Sequence, residues 1–547
     1  AGRIRVDNTN SLYTEKLYAT SNPTLLENSK KGKYTETRGE ERQTYGDVML
    51  NISKTFKEKF ALDAHIGASI KDNRFDELSV YGPIAGAPNI FNVVNLDKSQ
   101  KKTPKTGWHE QTQSFFYSLE LGWKSQLFVT TTGRNDWASQ LANSPQKSFF
   151  YPSVGVSWLP SSTFNFPEKF NYLKIRASWA SVANPFPREL TIATHPYDDT
   201  ISGWDDKSNY PIGQLYPERT KTWELGFDAR FLHGFTLSAS WYRADTYNQT
   251  FNPNLSASSG YSDIYIQTGH VRNTGVEASL GYNHQWKNWN WNSQFTFSWN
   301  KNKIIELCKE WYNPITEETI TMNRLQISKL GRAKFILKEG GSMGDLYSTT
   351  DLRRDDKGNI EIDEGGNVVV EDNLPDMKLG SVFPDYNLAW RNSVSWKNLN
   401  LGFLVTARIG GIVNSLTQAN MDLFGVSEAT AAARDAGGAL VNGRSLVNPE
   451  TWYTAIASQG GIPQYYTYSA TNVRLQELSL GYTIPRKWLH NVCSITVSFV
   501  GRNLWMMYCK APFDPEAVAS TNNFYQGMDY FMMPSTRNLG FNINIKF

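Results

Sequence analysis

The chain has 547 residues, 40% of them hydrophobic and 14% aromatic, with 55 basic against 52 acidic side chains and a formal net charge of +3. Scattered, nearly balanced charge is no footprint for nucleic acid, and no apolar run approaches the ~18 residues of a membrane helix. The negative mean hydropathy still leaves a membrane barrel open, because such a barrel keeps its lumen and its loops polar.

Period-two alternation predicts roughly sixteen strands, with boundaries good to about three residues. A weak one lies near residues 10–20. Clearer ones follow at about 44–56, 58–70, 111–123, 126–134, 149–159 and 171–182. The next are at about 217–231, 235–248, 271–283, 289–302, 384–396, 399–410, 472–484, 493–502 and 538–547. The segment from Trp223 to Phe231 shows the pattern: Trp223, Leu225, Phe227, Ala229 and Phe231 alternate with Glu224, Gly226, Asp228 and Arg230. About nine to eleven such residues cross a bilayer as a tilted strand, apolar on one side and polar on the other. From Trp289 to Trp299 every odd position is aromatic except Ser293. The end, Leu539-Gly-Phe541-Asn-Ile543-Asn-Ile545-Lys-Phe547, alternates up to a terminal Phe, as bacterial outer-membrane barrels typically do.

The connections fall into two classes that alternate. Short ones lie at 56–57, 123–125, 232–234, 283–288, 396–398 and 485–491, with residues 160–170 the longest of this kind. Long ones lie at about 21–43, 71–110, 135–148, 183–216, 249–270, 303–383, 411–471 and 503–537. Long loops are uncommon in compact soluble domains. Gathered at one end, they are the habit of outer-membrane barrels, which have short periplasmic turns and long external loops.

Several motifs carry a family resemblance. Leu215-Tyr-Pro-Glu-Arg-Thr-Lys-Thr-Trp-Glu-Leu-Gly-Phe-Asp228 and Asn273-Thr-Gly-Val-Glu277 resemble signatures of TonB-dependent outer-membrane transporters. Tyr151-Pro-Ser-Val-Gly-Val-Ser-Trp158, Leu173-Lys-Ile-Arg-Ala-Ser-Trp179, Val473-Arg-Leu-Gln-Glu-Leu-Ser-Leu-Gly-Tyr482, Gly501-Arg-Asn-Leu504 and Asp514-Pro-Glu516 follow, ahead of the stretch from Pro534 to Phe547. In that order the set is similar to the SusC/RagA-type subfamily of Bacteroidetes, over nearly the whole chain from about Gly46 onward. The resemblance implies an all-β transmembrane antiparallel barrel of about 22 strands with a plugged lumen. Roughly sixteen are read here, so this chain is expected to be the C-terminal portion of the barrel, without the plug or the segment that TonB grips. The opening Ala1-Gly2-Arg3-Ile4 is not a signal peptide, in keeping with a piece of a larger protein.

The implied function is TonB-dependent import across the outer membrane of a Gram-negative bacterium, of oligosaccharides or alternatively peptides. The implied partners are a SusD-like surface lipoprotein acting as lid, TonB through the absent N-terminal segment, the missing plug and first strands, and membrane lipid. A passive porin is the alternative from another class. A soluble propeller is disfavoured, because loop lengths vary several-fold where propellers keep a period of about 40–50 residues.

Aromatics in the long loops are the candidate solute contacts: Trp204, Tyr210, Trp311, Tyr312, Tyr347, Trp452, Tyr465 and Tyr466, with Tyr453, Tyr468, Phe524 and Tyr525 beside them. Flat rings stack on the apolar faces of sugars or on peptide side chains, and Tyr and Trp add a polar tip. Packing of the loops on themselves, or against a partner protein, is the competing reading. The strand aromatics Trp223, Trp241, Trp289, Trp291 and Trp299 read as lipid-facing girdle residues instead. Asp63, His65, Glu120, Glu224, Asp228, Arg230 and Glu277 are ionisable groups expected to face the lumen. The oxygen-rich stretch Asp351–Glu364 is a weak calcium candidate, although it departs from the register of a calcium-binding loop. Otherwise no cofactor is expected. Cys308, Cys493 and Cys509 have no metal spacing, and a Cys493–Cys509 bridge or unpaired thiols are both open. There is no H-E-x-x-H, G-x-S-x-G, P-loop or G-x-G-x-x-G after a strand, so no enzyme is expected.

Overall fold

β-Branched and aromatic residues at every second position favour extended backbone, and strands carrying that pattern dominate the fold. The computed structural model describes residues 1–20, 30–188, 190, 197–198, 203–204, 209–210, 215–251, 263–313, 317–520 and 525–547. Sixteen strands form one sheet in chain order: β1 (Gly2–Leu17), β2 (Lys33–Phe56), β3 (Phe60–Pro83), β4 (Lys105–Trp123), β5 (Leu127–Ala138), β6 (Phe149–Trp158), β7 (Phe170–Asn184), β8 (Glu218–Phe231), β9 (Phe235–Phe251), β10 (Ile266–Trp286), β11 (Trp289–Glu306), β12 (Tyr386–Trp396), β13 (Leu399–Ile409), β14 (Asn472–Ile484), β15 (Ser494–Cys509) and β16 (Asn538–Lys546). Each of the sixteen expected strands has its counterpart. The chain divides into two compact units. The first is Ala1–Val156, Trp179–Thr220 and Asn254–Gln267, and the second is Ser157–Ser178, Lys221–Pro253 and Thr268–Phe547.

Consecutive strands that pair antiparallel send successive connections out of opposite ends. Alternating connection length therefore sorts the short turns to one end and the long loops to the other. The short turns are tight. Lys57 and Glu58, Lys124 and Ser125, and Leu232 and His233 are consecutive pairs with φ between 49° and 56°, the sign that a type I′ hairpin turn requires at both central residues. The turn expected over 283–288 contracts to two residues, because β10 runs on to Trp286 and β11 starts at Trp289.

The alternation is realised as two faces. Along β8, Trp223, Leu225 and Phe227 are exposed while Glu224, Gly226 and Asp228 are half-buried. Trp241, Trp289 and Trp291 are exposed as well, and Trp299 is half-buried. Trp223, Trp241, Trp289 and Trp291 lie on an apolar surface that none of the described residues covers. On β3 that surface runs from Phe60 through Ile66 to Ile70, all exposed. Ten residues at ~3.3 Å rise and ~45° tilt span roughly 23 Å, the height of a membrane barrel's apolar band.

β2 and β3 each have 24 residues and outrun their expected ranges by more than ten at the long-loop end. Past Gly46 and Ile70 the apolar face turns polar, with Thr44 and Arg42 on β2 opposite Asp72 and Arg74 on β3. With both faces wet, nothing alternates in hydrophobicity, and the strand is invisible to a pattern search.

The long loops of the second unit are themselves folded. The strands Arg324–Leu330, Ala333–Lys338, Asp345–Ser348 and Met377–Ser381 make a four-stranded sheet. Helices α1 (Leu416–Leu423), α2 (Glu428–Asp435) and α3 (Pro449–Ala457) follow, capped by the side chains of Ser415, Ser427 and Asn448. Each cap satisfies helix N–H groups that have no partner within the helix. All three cysteines are free thiols, so the Cys493–Cys509 bridge is not formed.

Candidate functional site

The loop region of the second unit is held by a strand, Ile412–Ser415, that pairs antiparallel with Thr467–Ser469 and parallel with Met528–Asp529. Ser415 Oγ donates to Asp529 Oδ2 at 2.6 Å and accepts from Gln418 N at 3.0 Å. Leu352, Val368, Ala419, Ile456, Ala457, Ile462 and Tyr466 form a core over this region, with Ile360, Ile362, Trp452, Tyr453 and Tyr465 packed against it. Three segments distant in sequence thus share one hydrophobic interior.

The acidic stretch contributes to that interior. It is an eight-residue repeat, Asp355-x-x-Gly358-Asn359-Ile360 and Asp363-x-x-Gly366-Asn367-Val368, a signal legible in the sequence. Gly358 and Gly366 sit at φ 83° and 80°, where a side chain would be strained. Asp355 accepts from the N–H groups of Lys357 and Asn359 and from Asn359 Nδ2, and Asp363 accepts from Asn367 N and Nδ2. The Asn359 side-chain amide lowers the Asp355 carboxyl, and the Asn367 N–H lowers that of Asp363. These oxygens are turned onto their own turns, and among the described residues no group of three or more His, Cys, Asp or Glu is arranged to hold a metal. Asn442 ties the first repeat to the helical loop, its Oδ1 accepting from Ile360 N and its Nδ2 donating to Ile360 O.

The expected solute contacts separate by burial. Tyr466 is 2% exposed and donates to Asp422 Oδ2 at 3.0 Å; burial, reinforced by that carboxylate, pushes its phenol up. Tyr347 is 5% exposed, with the Lys338 ammonium 4.9 Å from its ring centre. Both are interior residues, because the loops fold over them, and neither presents a free ring face as the sequence reading expected. Trp452 and Tyr465 meet edge to face at 5.9 Å and are half-buried. Trp311 is half-buried and Tyr312 is 56% exposed; they sit on a hairpin in which Cys308–Asn313 pairs with Glu318–Met322. Trp204 and Tyr210 lie in two-residue strands of the first unit, Gly203–Trp204 and Asn209–Tyr210, and their side chains fall outside the described residues, as does the whole of Phe524.

Below the loops, the polar face of the second unit lines a cavity of about 700 Å³. Ser238, Ser240, Ser279, Thr296, Ser298 and Thr406 supply hydroxyls, with Arg176 and Glu277 among the lining charges and Arg408 and Glu516 beside them. Arg176 Nη1 donates to Asp228 Oδ2 at 2.8 Å and lies 3.6 Å from Glu224, while Ser238 Oγ donates to Asp228 Oδ1. Such a surface exchanges hydrogen bonds with polar matter.

Residues 3–504 match the family model described as the TonB dependent receptor-like β-barrel. The chain belongs to this family. The TonB-dependent receptor P3 of Formosa agariphila is 26% identical over 95% of this chain and 55% of that protein. SusC of Bacteroides thetaiotaomicron is 21% identical over 69% of this chain and 38% of its own length. The RagAB peptide transporter structure superposes on all of this chain, and on 60% of the other, with a TM-score of 0.77 at 18% identity. The chain spans about half the length of the curated relatives it matches.

Within this receptor-like barrel, the motifs that carried the resemblance have physical work. Leu215 is 1% exposed in a small core with Leu141, Phe149 and Phe186, and its carbonyl accepts from Ser144 Oγ at 2.6 Å. At Gly275 a Cβ would lie 2.5 Å from the Tyr242 ring, so only glycine lets the strands approach there. Arg474 of β14 is 4% exposed and donates twice to Asp514, at 2.8 and 3.0 Å. It also donates from Nε to Asn472 Oδ1 at 3.1 Å and lies 3.3 Å from Glu516. Burial alone would raise the Asp514 carboxyl, but the guanidinium and the Glu516 N–H hold it below the usual range. The Val-Arg-Leu-Gln-Glu-Leu and Asp-Pro-Glu motifs are thus two halves of one clamp, which pins the last long loop to the wall.

Proposed function

We propose that this chain forms the wall and the external loops of a TonB-dependent importer in the outer membrane of a Gram-negative bacterium. Its solute is an oligosaccharide, captured beneath a SusD-like surface lipoprotein that closes over the loops. The remainder of the protein supplies the plug, the first strands and the segment that engages TonB. The observation that carries the reading is the pairing of an uncovered apolar band about as tall as a bilayer's hydrocarbon core with long loops folded around cores of their own. Apolar area on that scale is stable only against lipid, and loops with their own cores can present a fixed surface to a solute or a lid. The SusC and RagAB likenesses support the same arrangement. The hydroxyl-rich cavity wall suits passage of a polar solute better than retention, since its many weak donors and acceptors bind no single group strongly.

Uptake of fluorescent oligosaccharides and of peptides of matched size is the test, in cells with and without the gene and with the proton-motive force intact or collapsed. Oligosaccharide uptake that needs both the gene and the energy source is expected. Uptake that survives de-energisation would mean a passive channel, and energised uptake of peptides alone would replace the solute class.

A further inference from the structure

The register of β1 to β4 carries one more site. On the apolar face, the last lipid-type row is Ile4, Gly46, Ile70 and Gln113, which lie opposite one another in consecutive strands, with Trp137 next to Gln113 on β5. Two rows further toward the long loops, Asn8, Arg42, Arg74 and His109 lie opposite one another in the same way. Four residues at ~3.3 Å rise and ~45° tilt place this row roughly 9 Å above the end of the apolar band. That is the depth of lipid headgroups.

Two guanidiniums on directly opposed strand positions repel, and neighbouring strands normally avoid that arrangement. Flanking acids relieve part of it: Arg74 lies 2.9 Å from Asp76, and His109 lies 2.8 Å from Asp72. Arg42, exposed and opposite Arg74, interacts electrostatically with Asp72 and makes no hydrogen bond or ion pair within 4 Å among the described residues. The Arg74 and His109 side chains remain 66% and 61% exposed, so both stay open to solvent beside the acids.

We infer that Arg42, Arg74 and His109 form a docking row for the phosphate groups of an outer-leaflet glycolipid. Asp72, Asp76 and Glu40 share this face, yet the opposed guanidiniums still offer donors to phosphate oxygens, and the row continues the apolar surface at headgroup height. Guanidinium forks bind phosphate oxygens in pairs, and phosphates bridging Arg42 and Arg74 remove the repulsion between them. The inference rests on the outer-membrane reading above.

The test uses the full-length protein in nanodiscs of phosphatidylethanolamine doped with bis-phosphorylated lipid A or with its dephosphorylated form. Native mass spectrometry counts the glycolipid retained. The parent should retain the phosphorylated form preferentially. Arg42→Ser/Arg74→Ser should weaken retention about tenfold to thirtyfold, two basic residues at ~1 kcal/mol each. Arg42→Lys/Arg74→Lys should keep most of it. Lys57→Ser/Lys124→Ser removes the same charge at the short-turn end and should change nothing. Heat-dependent gel mobility checks that each variant is folded. Equal retention by the serine variant and the parent, or no preference for the phosphorylated form, overturns the inference. So does full displacement by millimolar inorganic phosphate, which would mark an ion site and not a headgroup site. Failure to enter any nanodisc would instead overturn the outer-membrane reading.

Discussion

Replacing Arg474 by methionine should release the last long loop from the wall. The Arg474 side chain is 5% exposed and that of Asp514 is 9% exposed. Methionine keeps much of the side-chain volume but leaves the Asp514 carboxylate buried without its cation. Removing one member of a buried ion pair costs about 3–5 kcal/mol. The Glu516 N–H, which donates to Asp514 Oδ1 at 3.0 Å, remains, so the lower end of that range is expected. At ~1.4 kcal/mol per tenfold, ~3 kcal/mol raises the open population of the loop roughly a hundredfold. The paired strands of the wall should stay folded, so the change is local. Limited proteolysis between residues 510 and 537 reads it directly, with cleavage tracking the open population when reclosing is fast. Arg474→Met/Asp514→Leu removes the stranded charge as well and should recover most of the resistance. Parent-like cleavage of the single variant, or a double variant as labile as the single, would refute the clamp.

Asp376 accepts a bidentate pair from Arg324, at 2.6 and 2.8 Å, and Lys338 lies 3.0 Å away; together they hold its carboxyl at about 2, down from 3.8. Because the folded value is the lower one, the stabilisation is complete above about pH 4 and disappears as pH falls toward 2. It amounts to about 2 kcal/mol, so hydrogen exchange of the 324–338 hairpin should accelerate over that window, and Asp376→Asn should flatten the response. Tyr312→Ala should leave loop stability unchanged and weaken solute binding about twofold to tenfold, the worth of one aromatic contact. Trp452→Ala should do the reverse, costing ~3 kcal/mol of local loop stability through the shared core; calorimetric titration and proteolysis separate the two. Leu225→Arg sits near mid-height of the apolar band and should cost about 2–4 kcal/mol in bilayer-reconstituted folding equilibria, whereas Thr222→Arg on the polar face should be near neutral. Equal effects would invert the assignment of faces.

All sixteen wall strands could be read because lipid on one side and a polar lumen on the other write the period into the sequence. Where that asymmetry ends, the pattern ends too: β2 and β3 continue above Gly46 and Ile70 with Arg42, Glu40, Asp72 and Arg74 on one face and a mixture such as Gln43, Glu41, Asn73 and Phe75 on the other. β1 begins several residues before its expected range because its apolar residues, Ile4, Val6, Leu12 and Leu17, keep no sustained alternation. The loops were harder for another reason. Whether Tyr466 faces solute or Asp422 depends on α1, the acidic repeat and the strand at Met528–Asp529 converging, and no local pattern encodes three-body packing. The clamp was visible only as two motifs some forty residues apart. The Asp-x-x-Gly-Asn repeat was readable, with its glycines at the two positive-φ positions.

The order of the sheet also bears on how the protein is assembled. Every wall strand finds its partner in the strand just before it, so the sheet can grow by zippering, each hairpin templating the next. The core of Leu352, Ala419 and Ile456 closes only after chain segments on either side of β12 and β13 have met. Its contacts carry the larger loop-closure entropy and belong to the end of the process. Damage to the cap should therefore slow maturation at the surface while leaving insertion into the bilayer untouched.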